Sequence, residues 1–260
     1  MGMLTGRVAI ITGASKGIGR VMALTFAREG AKVACAARSA ALVEETAAAI
    51  RRGGGDAVAI VADLAKDDDA RRLVETTVAT LGHLDCLVNN AGDGGPTTPV
   101  QDYALEDWFY TINSCLTSSY LCTRFAVPAM MEAGRGAIVN IASMAGRRGL
   151  PFRAAYCAAK AGQMGMTYGL ALELGKHNIT VNAIAPGAVA GDRIDRAIAG
   201  QAEVRGVPLE QVRKSFENRA PLRRMTTADD IASAAVFLCS DGARNISGQC
   251  LPITGGEPAS

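Results

Sequence analysis

The chain has 260 residues, a formal net charge of +2 and an apolar fraction of 49%, which is enough for one large α/β domain. Opposite charges are interspersed, which argues against a nucleic-acid partner, and no window is apolar for long enough to cross a membrane. The seven cysteines are scattered and the two histidines lie far apart, so we predict a cytoplasmic protein with reduced thiols and no metal site.

Short apolar runs and helical patterns alternate along the chain. The predicted strands cover 7–12, 32–37, 57–62, 84–89, 137–142, 180–185 and 249–253. The predicted helices are one ending near 30, then 40–52, 67–81, 108–132 with an interruption or end near Pro128, one beginning near 154, and 228–239. This alternation predicts an α/β fold, a single-domain Rossmann-type doubly wound parallel sheet of about seven strands with helices on both faces.

The segment 186–227 breaks this rhythm. It is rich in arginine, contains glycine and proline, and shows one plausible helix at 209–218. We therefore predict one domain over 1–260, with 186–227 inserted as a loop.

A glycine-rich sequence, Thr-Gly-Ala-Ser-Lys-Gly-Ile-Gly at 12–19, follows the first predicted strand. Ligands of such sheets bind beyond the carboxyl ends of the strands. Gly13, Gly17 and Gly19 would let the backbone turn tightly and approach a pyrophosphate at the start of the next helix. The spacing is G-x-x-x-G-x-G rather than the plain dinucleotide fingerprint, and an ordinary turn is the alternative.

The residues after the next three strands extend this candidate site. Arg38 stands where an acidic residue would bind a ribose 2′-hydroxyl, and with Lys16 it offers two cations for a 2′-phosphate. The pair predicts NADP(H) rather than NAD(H), and a solvated surface pair is the alternative. Asp63 follows the third strand and could bond the adenine amino group. The small residues of Asn-Asn-Ala-Gly at 89–92 would let the cofactor pass closely.

The fifth strand leads into the stretch with the clearest chemistry. Ser143 ends the strand, and Tyr156 and Lys160 stand four residues apart on the following helix, so they share one face. A nearby ammonium stabilises a tyrosinate, which suits Tyr156 to donate and accept a proton, and Ser143 could bond the same substrate oxygen. Tyr-x-x-x-Lys alone is a common string, so an ordinary amphipathic helix is the alternative.

Taken in order, these motifs resemble those of the classical short-chain dehydrogenase/reductase family over nearly the whole chain. The shared pattern comprises 12–19, Asp63, 89–92, Asn113, Ser143, Tyr156, Lys160, Pro186 and Gly187.

The resemblance implies a role for each of four catalytic residues. Tyr156 would be the general acid/base, and Ser143 would position and polarise the carbonyl. Lys160 would bind the nicotinamide ribose, and Asn113 would hold a water that links Lys160 to solvent. The implied cofactor contacts are Gly13, Ser15, Lys16, Gly17, Ile18, Gly19, Arg38, Ser39, Asp63, Leu64, Asn90, Ala91, Gly92, Tyr156, Lys160, Pro186, Gly187 and Val189.

The expected activity is NADP(H)-dependent interconversion of a ketone or aldehyde and an alcohol, in a homotetramer that buries the outer faces of the 108–132 helix and the Tyr156 helix. The small and apolar residues expected at that packing are Ala158, Ala159, Gly162, Gly165 and Met166. Two alternatives are a fold-sharing isomerase or dehydratase, whose added substrate region this length does not accommodate, and a non-catalytic binding or regulatory protein. The substrate is left undecided.

Two positions depart from the family pattern, and several arginines stand near the expected pocket. Gly191 replaces the threonine that often follows Pro186-Gly187, and Thr254 stands in the usual Val-Asp-Gly-Gly near the C-terminus. The resemblance places the substrate pocket between Ser143 and Tyr156 and under the loop after Gly187. Arginines there could bind an anionic group of the substrate, and surface or subunit-contact charges are the alternative: Arg147, Arg148, Arg153, Arg193, Arg196, Arg205, Arg213 and Arg219.

Overall fold

The structure, a computed structural model, describes residues 2–258, and within this range the chain forms one seven-stranded sheet. The strands are β1 (Val8–Thr12), β2 (Lys32–Ala37), β3 (Ala57–Val61), β4 (Cys86–Asn89), β5 (Gly136–Ile141), β6 (Ile179–Pro186) and β7 (Cys250–Ile253). Their order is β3-β2-β1-β4-β5-β6-β7, and every neighbouring pair is parallel. The strand order reverses between β1 and β4, which makes this the doubly wound sheet that the alternation predicts.

Helices cover both faces of the sheet. They are α1 (Gly17–Arg28), α2 (Ala40–Arg52), α3 (Asp67–Leu81), α4 (Leu105–Ile112), α5 (Ser118–Glu132), α6 (Ala145–Arg148), α7 (Ala154–Leu174), α8 (Asp192–Arg205), α9 (Leu209–Glu217) and α10 (Ala228–Leu238). Neighbouring strand residues point to opposite faces, so Ile11 packs with α1, α2 and α10 while Ile10 packs with α3, α5 and α7. Full burial of each such side chain contributes about 1.5–3 kcal/mol.

The predicted interruption of the long helix near Pro128 is wrong. Pro128 lies inside α5, and the irregularity is instead a π-helical turn, Asn113–Thr117, which joins α4 to α5. A proline in a helix removes one hydrogen bond. Here Ala126 and Met130 beside it are fully buried against the sheet, and this packing outweighs the lost bond. The helical region also begins earlier than predicted, at Leu105.

The segment 186–227, predicted as an inserted loop with one helix, is mainly helical and contains two helices. The predicted helix is present as α9, and α8 precedes it. Ile198, Ala202, Val212 and Phe216 are buried together between these two helices. The spacing of Ile198 and Ala202 is helical, and the surrounding arginines obscured it.

Asp85 ties the sheet together at the end opposite the carboxyl ends of the strands. Its side chain is fully buried, accepts a hydrogen bond from the backbone N–H of Val8 over 2.8 Å, and pairs with Arg135 at 2.6 Å. Buried carboxylates are tolerated when they are paired and hydrogen-bonded in this way.

No helix in the described range is both long enough and apolar enough to span a bilayer.

Candidate active site

The residues singled out in the sequence gather at one edge of the sheet. Gly13 follows β1, Arg38 follows β2, Asp63 lies two residues past β3, and Asn90 follows β4. Ser143 lies two residues past β5. Since the strands are parallel, their carboxyl ends share one edge, and Pro186-Gly187 at the end of β6 joins the others there.

The turn after β1 has the geometry of a phosphate cradle. Gly13 and Gly17 adopt φ of 68° and 54°, which favour glycine. A Cβ on Gly19 would lie 2.1 Å from the carbonyl oxygen of Gly13, so only glycine fits there. A Cβ added to Gly17, by contrast, would have no neighbouring atom within 4 Å in the described chain. The N-cap residue Lys16 makes no side-chain hydrogen bond to the start of α1, so the turn leaves the first backbone N–H groups of the helix for a dinucleotide phosphate.

Thr12 locks this turn to the segment after β4, and the sequence prediction did not single it out. Its Oγ1 accepts hydrogen bonds from the backbone N–H groups of Asn90 at 2.8 Å and Ala91 at 2.9 Å, and donates one to the carbonyl of Val88 at 3.1 Å. The Asn90 amide donates to the carbonyl of Thr12 over 2.8 Å. Its position at the end of the apolar strand, directly before the glycine-rich turn, was the available signal.

The remaining predicted cofactor residues lie around the same edge. Arg38 and Lys16 are exposed, and Nη1 of Arg38 donates to the Tyr110 hydroxyl over 3.2 Å. Asp63 accepts from the N–H of Ala65 at 3.4 Å. The others occupy the start of α1, the start of α2, the turn after β3, the segment after β4 and the segment after β6: Ser15, Ile18, Ser39, Leu64, Gly92 and Val189.

Tyr156 and Lys160 lie on one face of α7. The Lys160 Nζ is 5.7 Å from the centre of the Tyr156 ring, and the lysine is only 2% exposed. The ammonium donates to the carbonyl of Ile141 at 2.7 Å and to Oε1 of Gln163 at 2.8 Å. These two acceptors fix a buried cation beside the phenol.

Gln163 is a second residue that the sequence prediction missed. It is fully buried, and its Nε2 donates to Oγ of Ser119 at 2.7 Å and to the carbonyl of Cys115 at 3.1 Å. Gln163 thereby connects Lys160 on α7 with the π-helical turn that carries Asn113. Its position three residues past Lys160, on the same helix face, was the available signal.

Ser143 and Asn113 occupy the two sides of this arrangement. Ser143 is half-buried, and its Oγ accepts from the N–H of Ala145 at 3.1 Å. Asn113 is exposed in the π-helical turn, and its Oδ1 accepts from the Thr117 hydroxyl at 3.0 Å. π-Helical turns inside helices often mark functional sites.

The Cys157 thiol next to Tyr156 packs against backbone rather than facing the site. Its Sγ accepts from the N–H of Leu150 at 3.2 Å, and burial raises the pKa of the thiol. A thiol that holds its proton is a weak nucleophile.

Four of the arginines near the expected pocket fall into two groups. Arg148 pairs with Glu257, and Arg213 pairs with Asp195 at 2.7 Å. Arg153 and Arg193 instead place their guanidinium carbons 5.3 Å and 5.7 Å from the centre of the Tyr156 ring.

Comparison with known proteins agrees with the fold and the order of the motifs. A family model described as Enoyl-(Acyl carrier protein) reductase matches residues 13–257. The chain is 37% identical over 258 residues to 3-oxoacyl-[acyl-carrier-protein] reductase of Synechocystis sp., covering 98% of both chains. It is 35% identical over 256 residues to 7alpha-hydroxysteroid dehydrogenase of Escherichia coli K12, covering 97% of this chain and 94% of that protein.

Among solved structures, NAD+-bound xylitol dehydrogenase superposes with a TM-score of 0.94 and 32% identity, over 97% of this chain and 99% of that one. The sheet, its carboxyl-edge motifs and these relatives define an oxidoreductase of a class that uses a nicotinamide cofactor. The chain belongs to the classical short-chain dehydrogenase/reductase family.

Proposed function

We propose that this oxidoreductase interconverts a ketone or aldehyde and an alcohol, with Tyr156 as general acid/base and NADP(H) as the preferred cofactor. The observation that carries the proposal is the pairing of Tyr156 with a buried Lys160, 5.7 Å from its ring centre, on the helix that follows the central strand. When bound, the nicotinamide cofactor supplies or accepts the hydride. The named relatives, a reductase and two dehydrogenases, support this reaction type.

Tyr156 handles the proton. In the direction of reduction its hydroxyl donates to the carbonyl oxygen, and in the direction of oxidation it accepts the proton of the alcohol. Ser143 hydrogen-bonds the same oxygen and orients it towards Tyr156. The cation of Lys160 stabilises the phenolate that remains after proton donation.

Lys160 also holds the cofactor. An ammonium has three N–H donors, of which two bind Ile141 and Gln163 within the described chain. The third remains for the hydroxyls of the nicotinamide ribose. Asn113, in the exposed π-helical turn nearby, holds a water that connects Lys160 with solvent.

The carboxyl edge holds the rest of the dinucleotide. The uncapped backbone N–H groups at the start of α1 suit the pyrophosphate. Arg38 and Lys16 suit a 2′-phosphate. Two cations at this position would attract a dianionic phosphate, whereas a neutral ribose carries no opposite charge for them to bind. Asp63 suits the adenine amino group.

We further propose that 1–260 acts as one domain and that the helical segment 186–227 covers the substrate. The relatives are a 3-oxoacyl-[acyl-carrier-protein] reductase, a 7alpha-hydroxysteroid dehydrogenase and a xylitol dehydrogenase, so they do not agree on a substrate. All seven cysteines are free, which supports a reducing, cytoplasmic location.

A fold-sharing isomerase or dehydratase and a non-catalytic regulatory protein are the alternatives. The chain covers 94–98% of the length of two named relatives, both oxidoreductases, which disfavours the first. The intact set of Asn113, Ser143, Tyr156 and Lys160 disfavours the second.

The test is the Tyr156→Phe variant, which removes the exchangeable proton and keeps the ring. We expect kcat with NADPH to fall by ~10²–10⁴-fold, the usual contribution of a general acid, while the Kd for NADPH changes less than about threefold, equivalent to about 0.7 kcal/mol. The measurement is NADPH oxidation over a panel of ketones, together with fluorescence titration of the cofactor.

Tyr168→Phe is the matched control, because Tyr168 lies on the same helix with 47% of its surface exposed. It should keep full activity. Tight NADPH binding by the unaltered protein, without turnover of any carbonyl compound or alcohol, would favour the regulatory alternative.

A further inference from the structure

Two arginines from different parts of the chain converge on Tyr156. Arg153 immediately precedes α7, and Arg193 lies in the first turn of α8. Their guanidinium carbons lie 5.3 Å and 5.7 Å from the Tyr156 ring centre. With Lys160 at 5.7 Å, three cations surround the proposed proton donor. The function of Lys160 already accounts for one of them.

The position of Arg153 is built into the fold. The residue is only 7% exposed, and its Nη2 donates to the carbonyl of Gly94 at 2.8 Å. A Cβ on Gly94 would lie 2.0 Å from that nitrogen, so glycine is required for the guanidinium to enter. The preceding Phe152 adopts φ of 65°, in the left-handed region that costs a bulky residue free energy. Strain of this kind is commonly retained at functional sites.

No carboxylate among the described residues lies in direct contact with the Arg153 guanidinium. Within residues 2–258, neither Arg153 nor Arg193 forms a salt bridge, and the buried Nε of Arg153 has no hydrogen-bond partner. Burial lowers the pKa of the Arg153 guanidinium, and the charge of Arg193 acts in the same direction, yet a guanidinium stays protonated at neutral pH.

A buried cation without a counter-ion is costly, and proteins ordinarily pair it. The carboxylate of Asp93 acts on the Arg153 guanidinium from a distance and raises its pKa, but it forms no salt bridge with it, and its Oδ1 accepts from the N–H of Gly95 at 3.0 Å. Arg193 is held from one side by a hydrogen bond from its Nη2 to the carbonyl of Gly92 at 2.8 Å, and the residue is exposed at the start of α8. The site therefore presents one buried and one accessible guanidinium beside the reacting group.

Building on the oxidoreductase function proposed above, we infer that the substrate carries a carboxylate, which binds at Arg153 and Arg193 beside Tyr156. A planar guanidinium binds a carboxylate through two parallel hydrogen bonds. Because both arginines lie against the ring of the proton donor, the carboxylate is only a few bonds from the carbonyl that is reduced. The substrate class is a short oxo acid, and the product is the corresponding hydroxy acid. Arg148 is excluded from this role because Glu257 neutralises it.

The phosphates of the cofactor are a second source of anionic charge, and the experiment separates the two. Acetoacetate and levulinate serve as anionic probes, and their methyl esters serve as neutral probes with the same carbonyl. Each is assayed with NADPH on the unaltered protein and on Arg153→Met and Arg193→Met, which keep length and remove charge. Arg196→Met is the matched control on α8, since Arg196 is exposed. The Kd for NADPH is measured for every variant.

We expect kcat/KM for the oxo acids to fall by ~10–100-fold in both arginine variants, as loss of a charged hydrogen bond predicts. The values for the methyl esters, the Kd for NADPH and all values for Arg196→Met should stay within about threefold, or about 0.7 kcal/mol. If Arg153→Met does not fold, the Arg193→Met variant alone tests the inference.

Equal losses for acids and esters would overturn the inference, and so would a rise in the Kd for NADPH with an unchanged preference between acid and ester. Failure of the unaltered protein to reduce any carbonyl compound would contradict the proposed function itself. In that case calorimetric binding of acetoacetate to the NADP+ complex still decides the inference. Binding that Arg193→Met abolishes supports it, and no binding to the unaltered protein overturns it.

Discussion

At the scale of single residues, the proposed preference for NADPH depends on two cations that follow β1 and β2. Lys16 and Arg38 are both exposed at the carboxyl edge, and Arg38 is steadied by the Tyr110 hydroxyl at 3.2 Å. We expect Arg38→Asp to lower the ratio of NADPH to NADH affinity by ~10–1000-fold, because a favourable contact with the 2′-phosphate becomes a repulsive one. Fluorescence titration with both cofactors measures the ratio.

Lys176→Asp makes the same change of charge in the short turn that leads into β6, at the opposite end of the strands. This control should leave the affinity ratio unchanged. If the unaltered protein bound NADPH and NADH equally well, the assignment of Lys16 and Arg38 to the 2′-phosphate would be wrong. NAD(H) is the competing cofactor to be tested, because the solved relative xylitol dehydrogenase has NAD+ bound.

At the scale of elements, α7 and the π-helical turn are joined by a buried chain of amides and hydroxyls. Gln163 accepts from Lys160 and donates to Ser119 and to the carbonyl of Cys115. The hydrogen-bond network continues to Thr167, whose hydroxyl accepts from the Asn140 side chain at 2.9 Å. Such networks specify one arrangement when every member is satisfied. Gln163 is therefore a positioning residue for Lys160.

The Gln163→Leu variant removes an acceptor from the buried ammonium and keeps the volume of the side chain. We expect kcat to fall by ~10–100-fold, since a buried cation that loses a hydrogen bond costs roughly 1.5–3 kcal/mol and Lys160 becomes free to move. The change should appear in kcat per folded molecule and in the Kd for NADPH, with folded protein quantified by circular dichroism.

Ser119→Ala is the matched comparison, because it breaks the far side of the same network and leaves the acceptor of Lys160 in place. It should lower the melting temperature while kcat stays within about threefold, or about 0.7 kcal/mol. Equal effects of the two variants on kcat would mean that Gln163 serves stability alone.

The elements also show how far periodicity carries a prediction. All seven strands and the helix of Tyr156 were predicted within about two residues, because fully buried parallel strands appear as unbroken apolar runs. Helix α8 and the π-helical turn were not. A π-helical turn has no distinct composition, and Pro128 gave a stronger but misleading local signal. In both cases the structure depends on how the segment packs against the rest of the protein, and the local sequence pattern does not show this.

The candidate site divides in the same way. Residues that directly follow strands could be placed from sequence, since topology alone brings them to one edge. The network of Gln163 could not, because it requires knowledge of which helix faces which. Likewise, the sequence offered eight arginines, and only packing distinguishes Arg153 and Arg193 from the neutralised Arg148.

At the scale of the whole molecule, apolar side chains remain exposed on α4, α5 and the outer face of α7. Those with 37–88% of their surface exposed are Leu105, Trp108, Phe109, Tyr120, Tyr168 and Leu172. A surface this apolar on adjacent helices is typical of a subunit interface. One expected contact residue is wrong: Ala159 is fully buried within the protomer. Ala158 and Gly165 are exposed on the outer face of α7.

This surface supports the predicted homotetramer of two-fold symmetry, and Gly165 provides the sharpest test. A Cβ on Gly165 would meet nothing within 4 Å in the described chain, so Gly165→Glu fits the protomer and improves its helix propensity by about 0.5–1 kcal/mol. In a two-fold interface the same substitution brings two like charges together and buries them, which costs several kcal/mol. Light scattering at micromolar concentration should therefore give four protomer masses for the unaltered protein and a smaller assembly for the variant. Ala79→Glu, exposed on α3 rather than on α4, α5 or α7, should remain tetrameric. A monomer mass for the unaltered protein would contradict the tetramer outright.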